Sequence, residues 1–356
     1  LKPDARGGGL PEPPSTMPAL HSRLASVWRR RGPAAWLLLP LALLFGFLVR
    51  LRQLLYRLGW LKSERLPVPV VVVGNIFVGG TGKTPLTIWL VQRLRAAGMH
   101  PAVVSRGYGA NIAAPRLVTP DATPAEVGDE PVLIAARAQC PMAVGRDRAA
   151  AARLLLAAHP ETDVLLLDDG LQHYALARDL EIMLFDGRGV GNGWMLPAGP
   201  LREPVSRRRD VTVINGANSA PGVPADAIRM ELRGDSALRL CDPGQRMRLA
   251  DLAAAAPQRL QAAAGIGNPE RFFKLLEAAG LRFERLPLPD HHDFADDPFA
   301  ASDADVILIT EKDAVKCRHL EAARKDERLW YVPVEAAIDA ALAEYLVEKL
   351  RGSPTD

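Results

Sequence analysis

The residues best suited to chemistry lie between Val70 and Pro85, in the run VVVVGNIFVGGTGKTP. A short apolar stretch enters a glycine-rich loop that ends in Gly82-Lys83-Thr84 and opens a helix, the arrangement of a P-loop. Gly79, Gly80 and Gly82, with Thr81 among them, allow backbone N–H groups to turn toward phosphate oxygens. Lys83 places a positive charge on the outer phosphates, and Thr84 offers a hydroxyl to a bound cation. ATP and Mg²⁺ are the expected cofactors. Pro85 falls in the first helical turn, where its missing N–H costs nothing. The strict form of the motif has a glycine where this chain has Phe77.

A second acidic element, Val164 to Gly170 (VLLLDDG), places Asp168 and Asp169 at the end of another apolar strand. That is the position of a Walker B carboxylate, which holds the metal directly or through water. Either aspartate satisfies the pattern; a strand-end or turn role is the alternative, which the phosphate loop beside it disfavours. A GTPase would need D-x-x-G and a later N-K-x-D; the nearest run, Thr310-Glu311-Lys312-Asp313, has no residue between Lys and Asp. It ends a strand, so it is read either as a ligand contact or simply as a helix start.

These groups need strands ending together. Apolar runs at 69–75, 102–105, 164–170, 181–187 and 211–215 alternate with amphipathic stretches such as Leu86 to Ala97 and Asp147 to Ala158. Strands alternating with helices predict a P-loop NTPase-like α/β fold, a mostly parallel sheet with helices on both faces. After a less regular stretch the alternation restarts at 261–267, 281–288, 305–310 and 329–334, which predicts a second, smaller α/β domain. The expected division is a P-loop domain over 63–216 and the second domain over 217–356. A length of 356 residues, 48% apolar and 24% charged, is compatible with two packed cores and with neither pervasive disorder nor a polytopic membrane protein.

The Gly- and Pro-rich residues 1–16 are expected to be disordered. Residues 17–62 form an expected membrane-associated segment. Nine Lys or Arg against the single acid Glu64 lie between Met17 and Leu66, flanking the uncharged run Ala34 to Val49. That run is short of the roughly 20 residues of a full span and contains Pro40, so interfacial insertion competes with crossing. The basicity is local, the net charge being +3, and fits an anionic membrane surface rather than a nucleic acid. Cys140, Cys241 and Cys317 have no metal-site spacing.

From Met17 to Leu350 the chain resembles the tetraacyldisaccharide 4'-kinase family of lipid A synthesis. The motifs, in order, are GNIFVGGTGKTP, SRGYG (105–109), VGDEP (127–131), DDGLQH (168–173), LPAGPLREP (196–204), PDHH (289–292) and TEKDAVK (310–316). The resemblance implies transfer of the ATP γ-phosphate to the 4'-hydroxyl of a lipid-linked glucosamine disaccharide 1-phosphate, at the cytoplasmic face of the inner membrane. It further implies that Asp129, with His291 rather than His292, activates the hydroxyl. Asp129 ahead of Glu130-Pro131 suits a helix N-cap equally well. Arg202 would brace phosphate charge, Glu203 would assist at the metal, and Gln172 would contact the nucleotide. His173, Arg106, Tyr108 and Arg148 are weaker candidates for phosphate or nucleotide contacts. A membrane-associated P-loop ATPase switch is the alternative function.

Overall fold

The computed structural model describes residues 26–255 and 259–352. The disorder expected for residues 1–16 and the start of the 17–62 segment fall outside them. The first sheet runs, edge to edge, β15 (Glu335–Ile338), β8 (Ile228–Arg233), β7 (Val211–Asn215), β6 (Leu180–Asp186), β1 (Val70–Gly74), β5 (Val164–Asp168), β2 (Pro101–Ser105), β4 (Met142–Val144) and β3 (Arg116–Leu117). Every neighbouring pair is parallel except those at the two edges, β15 with β8 and β3 with β4.

The β1 run VVVVG is buried throughout because both faces of the sheet are covered. Side chains alternate between faces. Val71 and Val73 meet the core under α2 (Lys83–Ala96), α4 (Asp129–Ala138) and α10 (Ala341–Arg351), while Val70 and Val72 meet the core under α5 (Arg148–Ala158). A single turn of helix, α3 (Pro124–Val127), leads into α4. Asp147 caps α5, accepting from the N–H groups of Ala149 and Ala150.

The second sheet is ordered β10 (Arg246–Arg248), β9 (Ser236–Arg239), β14 (Leu329–Val332), β13 (Val306–Thr310), β11 (Leu260–Ala264) and β12 (Glu284–Pro287). One face packs on α6 (Leu249–Ala255) and α7 (Pro269–Ala278) through Leu252, Phe272, Phe273 and Leu276. The other packs on α8 (Glu311–Cys317), α9 (Glu321–Lys325) and the Phe294 to Phe299 loop.

The division expected at residue 216 does not match the sheets. Strand β8 extends the first sheet, and after the second sheet the chain returns to add β15 and α10 to the first. The physical reason lies in the mixed composition of the two outermost strands on that side. IRMELR in β8 buries only Met230 fully and EAAI in β15 buries only Ala336, so neither presents the continuous apolar run of a central strand.

The N-terminal helix α1 (Pro33–Arg57) has 25 residues, longer than the uncharged run within it, and it accommodates Pro40. A stretch of it has mean hydropathy 2.1 and is long and apolar enough to cross a membrane. Its buried residues, Ala35, Ala42 and Gly46, are small and let the helix lie against the body. A Cβ on Gly46 would come to 3.3 Å from the Met195 sulfur. The edge of Trp36 meets the Trp194 ring at 4.9 Å, and Gln53 donates to the Tyr174 hydroxyl at 2.8 Å. Trp36, Leu37, Leu41, Leu44, Phe47 and Leu48 stand exposed.

Candidate active site

The phosphate loop leaves the end of β1 and closes at Gly82, whose φ of 102° caps α2 in the left-handed region. A Cβ there would collide with the Asn215 side chain, so strain and space both demand glycine. Two asparagines organise the loop. Asn75 donates to the Gly79 carbonyl at 3.1 Å and the Thr81 hydroxyl at 3.0 Å, and Asn215, at the end of β7, donates to the Thr81 carbonyl at 2.8 Å. With those carbonyls engaged from behind, the loop N–H groups and the start of α2 are left to receive an anion.

Phe77, which replaces the expected glycine, is buried and anchors the loop. It bridges to Leu201, and the Arg188 guanidinium lies 4.4 Å from its ring centre. Val78 N–H donates to Pro200 and Arg202 N–H donates to Ile76, at 3.0 and 2.7 Å, so the LPAGPLREP segment is zipped to the phosphate loop. This zipper delivers Arg202 to the site, where its guanidinium donates to Asn75 and lies 3.4 Å from Asp169.

Lys83 lies 3.6 Å from Asp169 and 3.4 Å from the Asn75 side-chain oxygen. Asp169 itself has φ of 51°, a strained backbone state that an aspartate tolerates better than most residues. Burial works to raise its pKa, but Lys83 and Arg202 hold it below the ordinary carboxylate range. Asp168 behaves oppositely. Burial, with the Glu130 charge nearby, pushes it up to about 7 although Lys83 and the Ser105 hydroxyl oppose this. It accepts from Ser105 at 3.2 Å and from Thr87 at 3.4 Å. Thr84 stands one turn before Thr87 on the same helix face. Carboxylate and hydroxyl oxygens beside an under-neutralised buried acid are the donor set of a hard divalent cation.

Gln172 donates to the Asn75 carbonyl at 3.3 Å, behind the loop. Glu203, the residue after Arg202, is engaged with an arginine of its own. Its carboxylate is buried and accepts from Arg207 at 2.6 Å and Gln53 at 3.3 Å, in a cluster with Tyr174 beneath α1. A carboxylate next to an arginine at i+4 takes the ion pair within reach, which sequence adjacency to Arg202 did not reveal.

The second group of reactive residues lies where the two sheets meet. Gly128, with φ of 97°, is the residue before α4, so Asp129 is the first helical residue and not the N-cap. Its carboxylate is buried and faces His291 Nδ1 at 3.0 Å, with Lys312 at 3.8 Å and Lys316 at 3.9 Å. Burial raises the Asp129 pKa, but the hydrogen bond to His291 and the lysine charges prevail and hold it low. The same hydrogen bond raises His291 above the ordinary imidazole value.

His291 has φ of 61° and its ring lies 5.1 Å from that of Tyr108. His292 points elsewhere, its Nδ1 accepting from Phe294 N–H at 3.0 Å. In TEKDAVK, Thr310 caps α8 and bonds Asp313, while Lys312 reaches Glu130 at 3.0 Å. The helix-start reading of that motif thus holds for Thr310, and Lys312 is turned toward the acids at the start of α4. Arg148 is buried, which with Arg106 nearby lowers it to about 10, and His173 is held neutral, lowered by burial and Arg148 to about 4.

The model of the family described as Tetraacyldisaccharide-1-P 4'-kinase matches residues 34–351. The chain belongs to this family. It is 66% identical over 337 residues to the tetraacyldisaccharide 4'-kinase of Janthinobacterium sp. (strain Marseille), covering 94% of this chain and 97% of that one. It is 50% identical to that of Dechloromonas aromatica (strain RCB), covering 91% and 95%. The crystal structure of LpxK from Aquifex aeolicus in complex with ATP superposes with a TM-score of 0.72 at 27% identity, covering 89% of this chain and 99% of that chain. The mostly parallel α/β fold is thus that of the family.

Asn75, Asn215, Ser105, Thr87 and Lys316 received no role of their own from sequence. Each sits at a strand end or in the first helical turns beyond one, which was the available signal. The Asp168 titration is testable. In the metal-free protein the folded carboxyl keeps its proton to about pH 7 whereas the unfolded one loses it near 3.8, so stability falls as pH rises through that window. Thermal unfolding of Asp168→Asn without metal or nucleotide should show a flatter pH dependence than the parent across that window. An equal slope would contradict the assignment.

Proposed function

We propose that this protein transfers the γ-phosphoryl group of ATP to the 4'-hydroxyl of a tetraacylated glucosamine disaccharide 1-phosphate. The observation that carries the reading is the 3.0 Å contact between buried Asp129 and His291, which joins the two sheets beside a complete phosphate loop. Family membership supplies the acceptor.

The ATP phosphates lie against the N–H groups from Gly79 to Lys83, with Lys83 and Arg202 as cations on the outer phosphates. Asp168, Asp169 and Thr84 would hold Mg²⁺, which would offset charge on the phosphate oxygens. Asp129 accepts the proton of the 4'-hydroxyl as its oxygen attacks phosphorus in line. His291 orients that carboxylate, and Lys312 and Lys316 keep it ionised. Domain contact around the pair excludes water, the competing acceptor. Glu203 serves the scaffold beneath α1.

The acceptor is a lipid, and α1 is the element suited to meet it. The helix rests along the body at Trp194, Met195 and Tyr174 and exposes its apolar residues outward, so we place it in the cytoplasmic face of the inner membrane. Arg29, Arg30, Arg50 and Arg57 flank the apolar stretch and reach the headgroups.

Asp129→Asn should lower acceptor-dependent ADP release by about 10²- to 10⁴-fold while the Mg-ATP dissociation constant moves by no more than about twofold. Unchanged turnover would remove Asp129 from the chemistry, and ATP turnover by the parent without any acceptor would favour the switch. For the membrane, Leu44→Asp with Phe47→Asp, both exposed, should release the protein from anionic vesicles in a flotation assay. Continued flotation would contradict the role of α1.

A further inference from the structure

Asp186, the last residue of β6, is only 2% exposed and faces two arginines. Arg188 donates to it through Nε at 3.0 and 3.1 Å and through Nη2 at 2.8 Å. Arg271 donates to it through Nη2 at 3.0 Å. The two arginines come from different parts of the molecule. Arg188 follows β6 in the first sheet, whereas Arg271 stands in the first turns of α7, which packs on the second.

The cluster touches the phosphate loop from both sides. Arg188 Nη2 donates to the Gly80 carbonyl at 3.0 Å, and its guanidinium covers Phe77. From the second sheet, Gly267, two residues before α7, runs so near that a Cβ would stand 3.3 Å from Gly80 N. One carboxylate thus bonds both guanidiniums, and a second, that of Asp290, stands against Gly267 on the other side of the junction. Burial works against the Arg271 cation, Asp186 supports it and Arg188 repels it, so its pKa lies below the ordinary value. Both guanidiniums are already paired with Asp186, and an anion held by the adjacent loop would be attracted to the same two cations.

We propose that Asp186 is a positioning residue for phosphoryl transfer: by holding Arg188 and Arg271 together it makes the grip of the phosphate loop on ATP depend on docking of the second sheet. The proposal rests on ATP being the donor, as inferred above. Arg188 fixes the direction of the Gly80 peptide, and Arg271 ties the docked position of α7 to that peptide. Neither arginine reacts. An arginine is required at 188 because its planar fork bonds the carboxylate and the carbonyl at once, which an ammonium cannot do in the same geometry.

The test measures Mg-ATP dissociation constants and KM for both substrates in the full-length parent, Asp186→Asn, Arg271→Met, Arg271→Lys and the double variant Asp186→Asn with Arg271→Met. Asp186→Asn and Arg271→Met should each weaken Mg-ATP binding by about tenfold, the loss of one charge-assisted contact. Arg271→Lys should lose less, the acceptor KM should stay within about twofold, and the double variant should be no worse than Asp186→Asn alone. Additive losses in the double variant, unchanged ATP binding in both singles, or an equal loss of acceptor affinity would overturn the proposal. A parent that fails to bind Mg-ATP would remove the donor assignment and this proposal with it. A parent that binds while Asp186→Asn binds equally well overturns the positioning role alone.

Discussion

Two adjacent carboxyl groups, Asp168 and Asp169, end a strand buried on both faces, and the rest of the site is organised around that electrostatic burden. Water cannot reach Asp168 to solvate its charge, so its proton is retained to about pH 7. Asp169 escapes the same fate because Lys83 and Arg202 stand against it. The lysine is there because the phosphate loop starts on the neighbouring strand, in register with Val73 beside Asp168. The arginine is there because the LPAGPLREP segment pairs with the loop backbone. One buried acid left short of positive charge is what supports the proposal of a divalent cation there.

The same arrangement separates two jobs. The groups proposed for the nucleotide side lie at strand ends of the first sheet: the phosphate loop after β1, Asp168 ending β5, and Asn215 ending β7 and bracing the loop. The group proposed to act on the acceptor, Asp129, begins α4 and is met by His291 and two lysines from the second sheet. The reacting pair therefore exists only where the sheets are docked. The return of β15 and α10 to the first sheet after the second has been completed tethers the second unit to the first at both of its ends.

Much of this was legible in the sequence, for physical reasons that can be named. Fully buried central strands read as unbroken apolar runs, and glycines at Gly79 and Gly82 mark positive φ that other residues resist. The pairing of Asp129 with His291 was reachable only through the ordered motifs, since the two are 162 residues apart and neither is distinctive alone. What sequence concealed was partner choice. Glu203 stands beside an active-site arginine yet pairs with Arg207, one helical turn's distance onward. The edge strand β15 and its neighbour β8 mix polar and apolar residues and so carry no run to read. Phe77 broke a motif at one position, and only its packing on Leu201 and Arg188 explains why the loop survives the change.

The most direct test of the account is the position of the transferred phosphate. With γ-labelled ATP, Mg²⁺ and the tetraacylated disaccharide 1-phosphate, the account predicts label in a new phosphomonoester at the 4' position of the lipid, resolved by phosphorus NMR of the isolated product. Label recovered only as inorganic phosphate, from a folded protein that binds ATP, would contradict it.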